Sequence, residues 1–213
     1  MLSIFYKGKY MVPATVLFLY PDEFNVQTKF NRKVATLLQN TEKFDVEIIK
    51  DNKNLIQNYI DSLGKKISSK QIKNIQESNC THAIVFDDGE VFTDELEILK
   101  SKKIPLRVIP VKITRVINIK RETEYASQKN TSFYEYIGRG SYWGNPYSMF
   151  EEGDEREEVI RKYKYDFDYE KFPNKDKQKV HLLAGKRLGC FCKPYPCHGD
   201  VLADYLNSFD DGK

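Results

Sequence analysis

Four short apolar, β-branched runs, each separated from the next by a segment with helical period, constrain this chain more than anything else in it. ATVLFLY (14–20), VEIIK (46–50), THAIVF (81–86) and PLRVIPV (105–111) read as strands of a buried sheet. Between them, NRKVATLLQ (31–39), NLIQNYIDSL (54–63) and SSKQIKNIQES (68–78) carry apolar residues three and four apart and read as helices. After the third run comes DDGEVFTDELEILKSKKIP (87–105). There Thr93 can cap a helix with Asp94 and Glu95 in its first turn and Lys100, Lys102 and Lys103 at its end, the charge order a helix dipole favours. This order predicts an α/β fold, a Rossmann-like parallel sheet with helices on both faces.

The remainder differs in character. The polar stretch 122–132 (ETEYASQKNTS) reads as a linker, so residues 1–121 form the predicted Rossmann-like domain and residues 133–213 a smaller α+β domain. In that second part FYEYIGRGSYWGNPYSMF (133–150) is aromatic and glycine-rich, DEREEVIRKYKYDF (154–167) is a charged helix with an apolar stripe, and KRLGCFC (186–192) is a strand. GDVLADYLN (199–207) closes the chain as a helix.

Of the 213 residues 40% are hydrophobic, enough for a buried core, and charges nearly cancel to +3, so no global field announces a nucleic-acid or membrane partner. The segment YMVPATVLFLYPDE (10–23) follows lysines as a signal peptide would. It lacks a small-residue cleavage site and runs into Pro21, Asp22 and Glu23, so it reads as the first buried strand. No stretch reaches the roughly 20 apolar residues of a membrane span. The expectation is a cytoplasmic protein, where clustered cysteines more often bind metal or do chemistry than form disulfides.

Two constellations can carry chemistry. GCFCKPYPCHGD (189–200) holds three of the four cysteines. On a strand, Cys190 and Cys192 share a face, and the Pro194/Pro196 turn can return Cys197 and His198 toward it. Three thiolates and an imidazole would suit zinc. Buried packing of the thiols, or a thiol made reactive by the following helix, are the other readings. A deaminase-like site is disfavoured, because no H-x-E element accompanies the cysteines. Asp200 is a candidate acid or base.

In the second constellation, residues 138–146, Gly138 and Gly140 allow close backbone approach to a ligand and their N–H groups can cradle an anion. Arg139 can hold a phosphate, Trp143 and Tyr142 can stack on a base or sugar, Asn145 can read an edge by hydrogen bonds, and Ser141 is a further candidate substrate contact. A structural turn with Trp143 in the core is the competing reading. In the first half, Asp87 and Asp88 lie where the third strand ends, with Glu95 in the next helical turn. Parallel sheets bind ligands beyond their strands' carboxyl ends, although acids at such turns are also ordinary caps. Neither a G-x-G-x-x-G nor a P-loop motif is present.

YIGRGSYWGNP (136–146), REEVIRKY (156–163) and GKRLGCFCKPYPCHGDVLAD (185–204), in that order, resemble a small uncharacterised domain of bacteriophages and some bacteria, a domain of unknown function; the resemblance covers residues 133–207. THAIVFDDG (81–89), the acidic helix after it and KKIPLRVI (102–109) are more weakly similar to the Rossmann-like nucleotide-binding superfamily of the lysine-decarboxylase-like and DNA-processing-A-like folds, near the nucleoside deoxyribosyltransferases. That resemblance implies handling of nucleotides or cleavage of N-glycosidic bonds, but the superfamily's glycine-rich phosphate loop is missing. The expectation is an enzyme acting on a nucleotide, nucleoside or modified nucleobase. The alternative is a non-catalytic protein that binds a nucleotide signal or nucleic acid, as in phage counter-defence.

Overall fold

The computed structural model describes residues 13–125, 130–149, 155–172 and 174–212. They divide into two compact units, the described residues up to 111 with 210–212, and those between 112 and 209.

In the first unit all four apolar runs become strands: β1 (Ala14–Leu19), β2 (Phe44–Ile48), β4 (His82–Asp87) and β5 (Leu106–Pro110). A fifth, β3 (Ser69–Gln71), lies at the edge, and the sheet runs β3-β2-β1-β4-β5 with every pair parallel. Val16, Leu17 and Phe18 of β1 are wholly buried, as a central parallel strand requires. Helices α1 (Gln27–Leu38), α2 (Leu55–Ser62) and α3 (Thr93–Ser101) flank the sheet. Phe30 and Val34 of α1 are buried, and Phe30 stacks on Phe86 of β4 at 5.0 Å between centroids.

Two local expectations change. Residues 68–78 are not a helix: they form β3 and a 3-10 turn, Ile75–Glu77. The Asn74 side chain accepts from the N–H groups of Gln76 and Glu77 and so caps the start of this short turn. Ile72 and Ile75 still bury, so the three-residue spacing read as helical belongs to a strand leaving its sheet. The same turn satisfies buried Glu47, which accepts from Ser78 Oγ at 2.6 Å and from Asn79 N–H at 3.3 Å. In α3 the cap position falls on Phe92, with no side-chain cap, and Thr93 opens the helix.

The second unit is built on a three-stranded parallel sheet in the order β6-β8-β7, comprising β6 (Arg115–Asn118), β7 (Tyr134–Tyr136) and β8 (Arg187–Cys190). Helices α4 (Arg156–Asp168) and α5 (His198–Asn207) and a 3-10 segment, Lys177–Leu183, complete it. Since β6 pairs with β8, the division between units falls after Val111, ahead of the polar stretch 122–132. Of that stretch Thr123–Tyr125 is a 3-10 turn, and residues 126–129 lie outside the described residues. Asn207 near the end of α5 closes the unit, bonding both the N–H and the C=O of Thr114 at 2.9 and 3.0 Å. Among the described residues no helix is long and apolar enough to cross a membrane.

Candidate functional site

The central strand of the second sheet, β8, delivers Cys190 to the core, where it is buried. The strand ends there, and a turn closed by Tyr195 N–H on the Cys192 carbonyl (3.0 Å) reverses the chain. Asn118, at the end of β6, fastens this loop by donating its amide to the carbonyls of Phe191 and Lys193. Cys197 is then the N-cap of α5. Its sulfur accepts from Gly199 N–H at 3.3 Å, and its own N–H donates to Asp200 Oδ2 at 2.9 Å, a reciprocal capping box with sulfur in place of the usual hydroxyl. At Gly199 a Cβ would lie 2.5 Å from Cδ1 of Ile137, so a larger residue there would have to displace that buried side chain.

The outcome is a three-sulfur cluster. Cys190 and Cys197 Sγ are 3.5 Å apart, Cys192 N–H donates to Cys190 Sγ at 3.3 Å, and all three sulfurs lie within 4.8 Å of one another. Three sulfurs at 2.3 Å from a tetrahedral zinc would stand about 3.8 Å apart, so the donor type and the spacing both fit a thiophilic ion. Hydrogen bonds from the Cys190 and Cys197 thiols, with the Arg156 guanidinium beside them, push the Cys192 thiol far down. The Cys192 sulfur that receives those bonds raises Cys190, and Cys197 is raised chiefly by Cys190. Of the three, Cys192 is the one whose thiolate form its neighbours favour. Cys190 and Cys197 are buried while Cys192 is partly exposed. Arg156 also donates to the Pro196 carbonyl at 3.3 Å and lies over the Tyr195 ring at 5.4 Å.

His198, expected as the fourth ligand, stands outside this group among the described residues. Its Nε2 is 2.8 Å from the Ile137 carbonyl, an atom that can only accept, so Nε2 carries the proton and donates. Burial pushes the imidazole pKa down and keeps the ring neutral. Asp200, expected as an acid or base, has Oδ2 on the Cys197 N–H and Oδ1 2.6 Å from Lys193 Nζ.

The glycine-rich segment is mainly a structural turn. Ser141 N–H bonds the Gly138 carbonyl and Gly144 N–H the Ser141 carbonyl, each at 3.1 Å, and a Cβ on Gly144 would sit 2.5 Å from the Gly138 oxygen. Trp143, expected to stack on a base, is 3% exposed in the core that also holds Cys190 and Cys197. Its carbonyl accepts from the Tyr163 hydroxyl at 2.9 Å. Asn145, expected to read a base edge, donates to the Val159 carbonyl at 3.0 Å and accepts from Tyr147 N–H at 2.9 Å. Aromatic and amide side chains serve core and ligand alike, and here Trp143 and Asn145 serve the competing reading, a structural turn with Trp143 in the core. Gly138 is buried, Arg139 and Gly140 are exposed, and Ser141 Oγ is buried without a hydrogen-bond partner.

In the first unit the strand order reverses direction between β1 and β4, the place where such sheets open a crevice at their carboxyl ends. Asp87 and Asp88 lie there, both partly buried: Asp87 Oδ1 accepts from Gly89 N–H at 3.1 Å, and Asp88 Oδ1 from the N–H groups of Glu90 and Val91 at 3.1 Å. Glu95 is partly buried in the first turn of α3. Beyond β1, the Tyr20 hydroxyl donates to Asp51 Oδ1 at 2.6 Å, and the Asp51 carboxylate accepts from the N–H groups of Ile56 and Gln57. The N-terminus of α2, where a phosphate could otherwise rest, is therefore held by the chain's own carboxylate. Asp51, Asn118 and Arg156 went unnoticed in the sequence. A polar turn before a helix was a usable signal for Asp51, whereas Asn118 and Arg156 act on residues far along the chain.

A Rossmann-like parallel sheet followed by a cysteine-bearing α+β unit defines the class, and comparison with known proteins agrees. Residues 13–117 match the Minimal SLOG domain, and residues 117–208 match a Domain of unknown function (DUF4326). The chain is 35% identical over 97 residues to the "Uncharacterized 12.4 kDa protein in nrdA-td intergenic region" of Enterobacteria phage T4, which is 45% of this chain and 87% of the phage protein. The chain belongs to the family of that phage protein. No solved structure matches it.

Proposed function

We propose that the protein is an enzyme acting on a nucleotide, nucleoside or modified nucleobase, which it binds in the crevice at the carboxyl ends of β1 and β4. The observation that carries this is the reversal of strand order at β1/β4 with Asp87-Asp88-Gly89 at the mouth of β4, in a segment matching a domain associated with nucleotide-related functions. Asp87 and Asp88, at the mouth of this crevice, suit ribose hydroxyls, and Glu95 is the candidate acid or base. Because Asp51 fills the α2 terminus, recognition at this crevice falls on sugar and base rather than on a phosphate cradle.

In the second unit Cys190, Cys192 and Cys197 hold zinc, with Arg139 and Gly140 as exposed anion contacts. Zinc there would stabilise the folded unit and supply a Lewis acid.

A second reading, a non-catalytic binder of a nucleotide signal or nucleic acid, is favoured by one observation: Asp87, Asp88 and Asp200 all serve local structural bonds. Incubating the protein with nucleosides, nucleotides and nicotinamide dinucleotides, with products read by mass spectrometry and binding by thermal shift, separates the two. Turnover of one compound, abolished in Glu95→Gln, is the expected result. A thermal shift without turnover would leave the binder.

A further inference from the structure

We infer that the three-sulfur centre takes its fourth ligand from outside the chain, a small anion or hydroxide seated on the Cys192 side beside Arg156. The inference rests on the reading that the three thiolates hold zinc, and it makes the centre an exchangeable ligand site.

Zinc in protein sites takes four ligands, and those that keep three protein donors leave the last position to water or substrate. Among the described residues the chain supplies three. The two nearest alternatives are committed elsewhere. His198 donates Nε2 to the Ile137 carbonyl and lies 5.0 Å from the Tyr163 ring, so swinging it toward the sulfurs would strand a buried carbonyl. Asp200 has one oxygen on the Cys197 N–H and the other on Lys193.

Exposure fixes the side. Cys190 and Cys197 are buried in the core, whereas Cys192, packed against it, is partly exposed, so an incoming ligand reaches the centre past Cys192. Charge fixes the class. Three thiolates and a divalent ion sum to one negative charge, which would repel an anion. The Arg156 guanidinium, which donates to the Pro196 carbonyl at 3.3 Å and lies over the Tyr195 ring in the loop between Cys192 and Cys197, offsets that repulsion on this side.

The test uses the full chain loaded with cobalt(II) in place of zinc, with azide as the probe anion. The visible bands of cobalt report its donor set without any need for activity. Azide should shift them saturably, and Arg156→Ala should weaken the apparent azide affinity about tenfold, the loss of one charge-assisted contact. Arg156→Lys should restore part of it, and His198→Gln should leave the cobalt spectrum unchanged. Bands indifferent to azide but altered in His198→Gln would show an internal fourth ligand and overturn the inference while leaving the metal in place. An azide response unchanged in Arg156→Ala would overturn the placement beside that residue. Failure to take up cobalt at all would overturn both the metal reading and this one.

Discussion

Replacing Cys197 with serine separates metal binding from packing. The residue has three roles: it lines the core, caps α5 and belongs to the sulfur cluster. Serine is a strong N-cap, so its hydroxyl can keep the bond from Gly199 N–H, and its smaller volume costs little beside Cys190. With chelator present, Cys197→Ser should therefore stay within about 1 kcal/mol of the parent. Oxygen is a poor substitute for a thiolate toward zinc. At free zinc a thousandfold above its dissociation constant the parent gains about 4 kcal/mol from mass action, and the variant should forfeit most of that. The gap between the two proteins should thus widen from about 1 to about 4–5 kcal/mol on adding zinc. Trp143 makes the assay direct. It is the chain's single tryptophan and sits in the same core as Cys190 and Cys197, so its fluorescence during urea unfolding reports on the second unit. An equal gap in zinc and in chelator would refute the reasoning and leave three packed thiols.

Three further outcomes follow from named contacts. Gly144→Ala drives a Cβ to 2.5 Å from the Gly138 carbonyl oxygen, so the second unit should lose about 2 kcal/mol or more, whereas Arg139→Ala, at an exposed position, should stay within about 0.5 kcal/mol in the same urea titration. Tyr163→Phe deletes the donor to the buried Trp143 carbonyl and should cost about 1–3 kcal/mol, read by the same fluorescence. Asp210 in the first unit is held well below the usual carboxylate range, first by its bond from Arg32 and then by that from Thr28. A lowered folded pKa gives stability that is complete above the ordinary carboxylate value and lost as pH falls through the folded one. Asp210→Asn should therefore lower the first unit's urea midpoint at neutral pH, with the difference closing in strong acid.

The first sheet was legible because a central parallel strand is buried on both faces and so announces itself as an unbroken apolar run. Edge strand β3 carries no such mark. Its three residues are all exposed, and the adjoining Ile72 and Ile75 imitate helical spacing. β6 was hidden differently: RVIN looks like any strand, and only its pairing with β8, some seventy positions on, assigns it to the second sheet. In the sulfur cluster, period-two logic brought Cys190 and Cys192 together, although the strand stops at Cys190 and a turn does the rest. Adjacency in sequence said nothing of where the His198 ring points. As the first residue of α5 it projects toward Ile137, while Cys197, one position earlier in extended backbone, projects toward the sulfurs.

That difference of one position has a mechanical consequence. Cys197 is at once the end of the loop that carries Cys192 and the residue that satisfies the first turn of α5. A metal drawn in by the three sulfurs would pull on the cap, and through Gly199 against Ile137 and Val116 on the helix's seat over the small sheet. Three parallel strands of three or four residues supply few ladder bonds, so a metal in the cluster would add a tie between β8 and α5 to a sheet that has little bonding of its own. Binding should for that reason tighten the second unit more than the first. Hydrogen exchange compared with and without zinc would show protection gathered on β8 and α5, and protection spread evenly over both units would contradict this account.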